Sequence, residues 1–428
     1  MRRVISIFLV CVLPLVAREL TLEQAVEQAI TGNRGFASAA FEVEKAQGRA
    51  LQAGLPRNPE LEIGARTDVL FKNEGERGIT VGLSQAIARK NRLAKAREAA
   101  NLSVEQQRAL IRDAERQLIG EVQSLFLRGL SLDRQHAARQ RLVDHGVKFA
   151  AIIEQRYKAG EVPQTDIAPI QIEIAKVRQE QQLLLAEKAD AELKLKFVIG
   201  VPPDEALTVV GDLDEIMKRW EAPVLVTGIE QRPDYAAAKI ATAQAEAEIQ
   251  VAKADAYEDV TVGVDYEGER AVFDPPIGVK KDYYLGFKVS IPLPVRNKNQ
   301  GRILEQQAAR RQAEAELASV RQKAISEVAQ ARSAAEKLGP ILARYREELI
   351  PLAEQHYQAV QRAYQQGQEG IAPVFQAQQQ HFALEVDYLT YLARRIDALV
   401  TIETASGAHP HVRQHPAASS HPHSSIQP

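Results

Sequence analysis

The chain has 428 residues, room for two or three domains. Its 54 Lys and Arg against 56 Asp and Glu give a formal net charge of −2, which excludes the strongly basic surface of a nucleic-acid-binding domain. Aromatics make up only 5%, while Ala, Gln, Glu, Arg and Leu fill long stretches, the composition of long helices and not of a compact enzyme with one large aromatic core.

Residues 1–17 read as a secretory signal: Arg2 and Arg3 form a basic start, Val4 to Val16 an apolar run, and Ala17 the cleavage position. The run is shorter than the ~20 residues a membrane-spanning helix needs. The sole cysteine, Cys11, lies inside it, so a processed chain has no disulfide, thiolate zinc site or thiol nucleophile. Val10, before Cys11, is too large for a lipidation signal. Thr21 and Gln24 form a T-x-x-Q capping box that opens a first helix, and a second covers roughly Phe36 to Gln52.

The hydrophobic period then drops from about 3.6 to 2. Leu61, Ile63, Ala65, Thr67 and Val69 alternate with polar residues, and Ile79, Val81 and Leu83 do the same after a polar loop. Two such strands suit an ordinary half-buried hairpin as well as a membrane barrel. A helical pattern from beyond Asn91 to about Gly160 follows, on the order of 100 Å of helix at ~1.5 Å per residue. The next helix, Ile167 to Ile199, carries Ile170, Ile174, Val177, Leu184, Ala191, Leu195 and Val198 at heptad-like spacing, as packing against a neighbouring helix requires.

The same order then recurs. A helix from Asp234 to Tyr257 precedes Val260, Val262, Val264 and Tyr266 in alternation. Leu285, Phe287, Val289 and Ile291 alternate after a loop containing Pro275 and Pro276. Helical sequence resumes at about Gly301 and reaches Gln366, with breaks expected at Gly339-Pro340 and at Pro351. A last helix covers about Val374 to Thr404. Leu83-Ser84 corresponds to Val289-Ser290, Tyr157 and Gly160 to Tyr364 and Gly367, and Ile167-Ala168-Pro169 to Ile371-Ala372-Pro373, all at nearly one offset. A period this long marks a duplicated domain and not a solenoid. The expected organisation is a signal peptide at 1–17, a first repeat at 18–203, a linking segment at 204–233, a second repeat at 234–405, and a disordered His/Pro-rich tail at 406–428. Each repeat supplies two long strands. Four cannot close a membrane barrel, whose smallest form has about eight, but three copies of the chain would supply twelve.

With those elements in place the chain resembles the outer-membrane efflux protein (TolC) family, over nearly all of residues 20–404. Besides the duplicated element order, three stretches carry the likeness. One is Gly82-Leu83-Ser84-Gln85-Ala86-Ile87, followed by the basic run from Arg89 to Arg97. Another is Ser290-Ile291-Pro292-Leu293-Pro294 with Arg296-Asn297-Lys298-Asn299-Gln300-Gly301-Arg302, which is similar to the heavy-metal branch. The third is Arg156-Tyr157-x-x-Gly160 with Thr165-Asp166. The resemblance implies a mainly α-helical homotrimer with a transmembrane twelve-strand β-barrel continued by a periplasmic helical barrel. It further implies an outer-membrane outlet that catalyses no reaction and holds no cofactor, partnered by a periplasmic membrane-fusion adaptor and an inner-membrane RND-type pump exporting divalent metal cations. Drug or protein export through the same architecture is the nearest alternative. A periplasmic coiled-coil scaffold without a barrel is a different class.

The hairpin tips are the candidate site: Gly160, Glu161, Val162, Thr165 and Asp166 in the first repeat, and Gly367, Glu369 and Gly370 in the second. Gly, Thr and Asp there also serve as helix caps. The resemblance adds adaptor docking and constriction of the tunnel mouth, where a ring of Glu161, Asp166 or Glu369 carboxylates would favour cations. Pro373 and Gln376 occupy positions where the better-known family member carries gate aspartates, which leaves Asp166 as the matching carboxylate. In the tail, His409, His411, His415, His421 and His423 form a candidate metal tether. The helical histidines His136, His145, His356 and His381 have no ligand spacing and read as surface residues. Met is nearly absent, which turns the metal expectation toward zinc, cobalt, cadmium or nickel and away from copper(I).

Overall fold

The computed structural model describes residues 18–68, 70, 75–164, 167–221, 228–273 and 278–407. The signal segment, Thr165, Asp166 and the tail histidines lie outside the described residues. The chain divides into two compact units, one of Met1–Ala37, Asp113–Arg232 and Lys323–Pro428, the other of Ser38–Arg112 and Pro233–Gln322. The strands are β1 (Arg18–Leu20), β2 (Glu60–Thr67), β3 (Arg77–Ile87), β4 (Leu207–Val209), β5 (Val260–Val272) and β6 (Val279–Ser290). The helices are α1 (Leu22–Gly32), α2 (Arg34–Ala53), α3 (Arg92–Lys158), α4 (Ile167–Ile199), α5 (Leu213–Glu221), α6 (Pro233–Asp255), α7 (Gln300–Arg344), α8 (Ile350–Gln365) and α9 (Ile371–Ser406).

The second unit holds an antiparallel four-stranded sheet in the order β2-β3-β5-β6. The two hairpins come from the two halves of the sequence and join along β3 and β5, where Val81 faces Tyr266 and Leu83 faces Val264. Because successive strand residues point to opposite faces, the register sorts them cleanly. One face carries Leu61, Ile63, Val81, Leu83, Val264, Leu285, Phe287 and Val289, all exposed. The other carries Glu62, Thr80, Asp265 and Glu267, and Arg66, which pairs with Glu267 at 3.6 Å and also with Glu269. An apolar sheet face this large is left bare in an isolated chain only when lipid or protein covers it. The helices α2 and α3 meet below the sheet through Ala46, Ala50 and Val104.

In the first unit the core joins α1, α3, α4, α7 and α9 through Ala25, Val122, Phe126, Leu195, Ala331 and Ile396. The expected capping box forms: the Gln24 amide donates to Thr21 Oγ1 and the Thr21 amide to Gln24 Oε1. The side chain of Arg232 is almost wholly buried. It donates to the Ala405 carbonyl at 2.8 Å and pairs with Glu327 at 3.0 Å, which satisfies a charge that would otherwise be costly inside.

Two features depart from expectation. Helix α7 does not break at Gly339-Pro340 but runs on to Arg344. The irregularity starts five residues after Pro340 as a π-helical turn, Tyr345–Leu349, one residue ahead of Pro351 in the first turn of α8. Pro351 has no N–H to return to Glu347, so the widened turn falls on the residues whose bonding it disturbs. In the linking segment β4 pairs in parallel with β1, placing Leu20 opposite Val209. His381 is not a surface residue: its ring is largely buried against Phe382, with Nδ1 3.3 Å from Glu354 Oε2. Among the described residues no helix is long and apolar enough to cross a membrane.

Candidate functional site

The two helix-hairpin tips lie within the first unit. Each is closed by the same backbone device. At the end of α3 the Gly160 amide bonds the Tyr157 carbonyl at 2.9 Å and the Glu161 amide bonds the Arg156 carbonyl at 2.9 Å. At the end of α8 the Gly367 amide bonds the Tyr364 carbonyl at 3.0 Å and the Gln368 amide bonds the Ala363 carbonyl at 2.9 Å. These are paired Schellman caps, and they require a left-handed residue after the helix. Gly160 and Gly367 supply it at φ +75° and +73°. The duplicated glycines are thus fixed by geometry that a Cβ would strain.

Below the caps the hairpins share one apolar cluster. Val143 and Ile153 of α3, Ile170, Ile174 and Val177 of α4, and Ile371 of α9 are buried together. Phe149 stacks on Phe375 with ring centroids 6.3 Å apart. Val162 packs against this cluster, so it holds the first tip down instead of standing free. Gly160, Glu161, Gly367, Glu369 and Gly370 are exposed at the ends.

Arg156 connects the two tips. Its Nε donates to Glu161 Oε2 at 2.8 Å, and Nη1 donates to the Tyr364 hydroxyl. The guanidinium carbon also lies 4.8 Å from the centre of the Tyr364 ring. The hydrogen bond to the Glu161 carboxylate, and next that to the Tyr364 hydroxyl, hold the guanidinium above its ordinary pKa. Glu161 is thus ion-paired, whereas Glu369 stands exposed beyond the second cap. In the sequence Arg156 precedes and Tyr364 belongs to a repeated Tyr-x-x-Gly signature, and nothing there pairs them. Their contact spans 208 positions, and the sole sequence hint is that Tyr364 repeats Tyr157. Among the described residues no group of three or more His, Cys, Asp or Glu is placed to hold a metal ion.

The chain thus carries an antiparallel sheet with one bare apolar face, long helices arranged twice over, and paired hairpin tips. The family model for outer membrane efflux proteins matches residues 25–201 and 225–408, and the chain belongs to that family. It is 24% identical over 402 residues to the pyoverdine export outer membrane protein OpmQ of Pseudomonas putida, covering 86% of this chain and 83% of that protein. It is also 24% identical over 403 residues to the cobalt-zinc-cadmium resistance protein CzcC of Cupriavidus metallidurans, covering 91% of each. Among solved structures, CusC superposes with a TM-score of 0.72 at 18% identity, over 91% of this chain and 92% of that one. The chain is accordingly a channel component and not an enzyme, and channels of this family work in tripartite pumps with an adaptor and an inner-membrane pump.

Proposed function

We propose that this chain is the homotrimeric outlet of a tripartite pump that exports divalent metal cations, with three four-stranded sheets closing one twelve-stranded barrel. The observation that carries the trimer is the sheet itself. It has four strands, two unpaired edges at β2 and β6, and one continuous apolar face, and edges in a bilayer must be paired. The exposed tip residues Gly160, Glu161, Gly367, Glu369 and Gly370, with Thr165 and Asp166, are the surface for a periplasmic adaptor. The Glu369 carboxylate, and Asp166 with it, give the tunnel mouth a preference for cations.

Two things support metal cations as the cargo: the Arg296–Arg302 loop pattern and the near full-length likeness to CzcC. The equal identity to OpmQ favours a second reading, an outlet for an organic solute of the pyoverdine kind. A deletion strain complemented in parallel separates them. Sensitivity to zinc, cobalt or cadmium that the intact gene relieves supports metal export. Normal metal tolerance with retention of an organic solute supports the second reading. The tail histidines His409, His411, His415, His421 and His423 are proposed as a metal tether, and deletion of residues 406–428 should then lower zinc affinity. Unchanged affinity would remove that role.

A further inference from the structure

The apolar stripe of β6 is too short for the bilayer as far as the strand is paired. On its lipid-side face the run of apolar residues is Tyr283, Leu285, Phe287 and Val289, bounded on the far side by the Arg270–Lys281 pair. Six residue steps at ~3.4 Å, tilted by ~40°, cover about 15 Å of depth, against an apolar band of ~25 Å in outer-membrane barrels. Apolar residues continue at alternate positions past the last paired residue, as Ile291, Leu293 and Val295. Leu293 and Val295 are 75% and 74% exposed, close to the 81% of Phe287 on the strand itself. Carried one step past the strand to Ile291, the stripe reaches about 20 Å, and Leu293 and Val295 add exposed apolar surface at the end where the band is still short.

This extension is held in place although it lies outside the sheet. Arg89 donates to the Pro292 carbonyl at 3.5 Å. The Val295 amide bonds the Leu293 carbonyl at 2.8 Å, which makes a tight turn around Pro294. Asn299, at φ +58°, anchors the far end by donating to the Ala252 carbonyl at 2.8 Å. Pro292 and Pro294 offer no amide to a neighbouring strand, so the segment is unsuited to extending the ladder. Directly after the apolar residues come Arg296 and Lys298, both exposed. The first repeat lacks this feature: at the offset of 206 residues, Leu293 matches Ile87, which is paired with Val260 inside the sheet, and Val295 matches Arg89.

We propose that residues 291–298 form an interfacial anchor in the periplasmic leaflet of the outer membrane. Leu293 and Val295 enter the phospholipid hydrocarbon, and Arg296 and Lys298 sit at the level of the phosphates. Two features commit the segment to lipid: continuity with the bare apolar face of the sheet, and the apolar-then-cationic order that suits a headgroup boundary. The inference rests on the outer-membrane location of the sheet and is independent of the cargo.

The test is a nitroxide scan of the full chain in a Cys11→Ser background, reconstituted in vesicles of phosphatidylethanolamine and phosphatidylglycerol. Single variants Leu285→Cys, Leu293→Cys, Val295→Cys and Lys298→Cys are labelled, and their collisions with oxygen and with a water-soluble nickel chelate are compared. The expected result is an oxygen-to-nickel ratio at 293 and 295 close to that at 285 and several-fold above that at 298. Val295→Cys carries the same expectation if Leu293→Cys does not assemble. A ratio at 293 and 295 equal to that at 298 places them in water and overturns the anchor. Shielding from both reagents places them under a neighbouring chain and also overturns it. A water-like ratio at 285 would instead remove the sheet from the bilayer and the anchor with it, so the two failures are distinguishable.

Discussion

Arg156 donates to the hydroxyl of Tyr364 and so ties the last turn of α3 to the last turn of α8. The same guanidinium holds Glu161 just past the first cap. One side chain thereby fixes both exposed tips, on which the proposed adaptor surface depends.

Tyr364→Phe removes the acceptor but keeps the ring under the guanidinium. Amide hydrogen exchange at 157–162 and 364–369 should become several-fold faster, with the rest of the first unit unaffected. Arg156→Ala should loosen both tips further, because it also releases Glu161 and the ring contact. Unchanged exchange in both variants would show that the apolar cluster around Ile153 and Ile174 holds the tips without help.

Gly200 ends α4 at φ +76°, and a Cβ there would lie 2.1 Å from the Gly32 carbonyl oxygen. Gly200→Ala should therefore destabilise the first unit by about 2–4 kcal/mol. Gly48, inside α2 with open space around it, offers the opposite case. Gly48→Ala should stabilise by about 0.5–1 kcal/mol. Chemical denaturation in a fixed detergent compares the two.

Asp212 caps α5, accepting from the Asp214 amide at 2.8 Å and from Arg134 at 2.9 Å. The Asp214 amide, foremost, holds its carboxyl below the usual carboxylate range. The folded state thus favours the charged form. Its stabilising effect is complete above the ordinary value of an aspartate and is lost as pH falls through the lowered one. Asp212→Asn should flatten the acid side of the stability profile. Equal acid-side slopes in the variant and the parent would contradict this.

Phe287 stands in the middle of the apolar face of β6. Phe287→Lys should cost about 2–4 kcal/mol of insertion stability if the residue meets the centre of the bilayer. Tyr284→Lys, three positions away on the opposite face, should be nearly neutral. Membrane-inserted fractions after refolding into vesicles measure both; equal losses would contradict a one-sided lipid face, and a larger loss for Tyr284→Lys would mean that the faces are assigned the wrong way round.

The hairpins were legible because alternation of period two carries both the strand and its orientation. Leu61 opposite Leu83 and Val264 opposite Phe287 follow from parity alone once the register is set. The long helices were legible from heptad spacing, and the caps from Gly160 and Gly367 at matching places. Contacts between distant positions were not. The pairing of β1 with β4 involves three-residue strands with no periodic signal. His381 looked like a helix-surface residue because its partner Glu354 lies on a different helix. Pro340 was read as a break, yet α7 absorbs it, since a long helix packed along Ala324, Val328, Ala331 and Ala335 keeps its other bonds.

The central claim is that three copies close one barrel in the outer membrane. The most direct measurement is the molar mass of the protein extracted in detergent from the outer-membrane fraction, corrected for bound detergent. The account predicts three chains per particle. A monomer or dimer, or protein recovered only from the soluble periplasm, would leave the edges of β2 and β6 unpaired and contradict it.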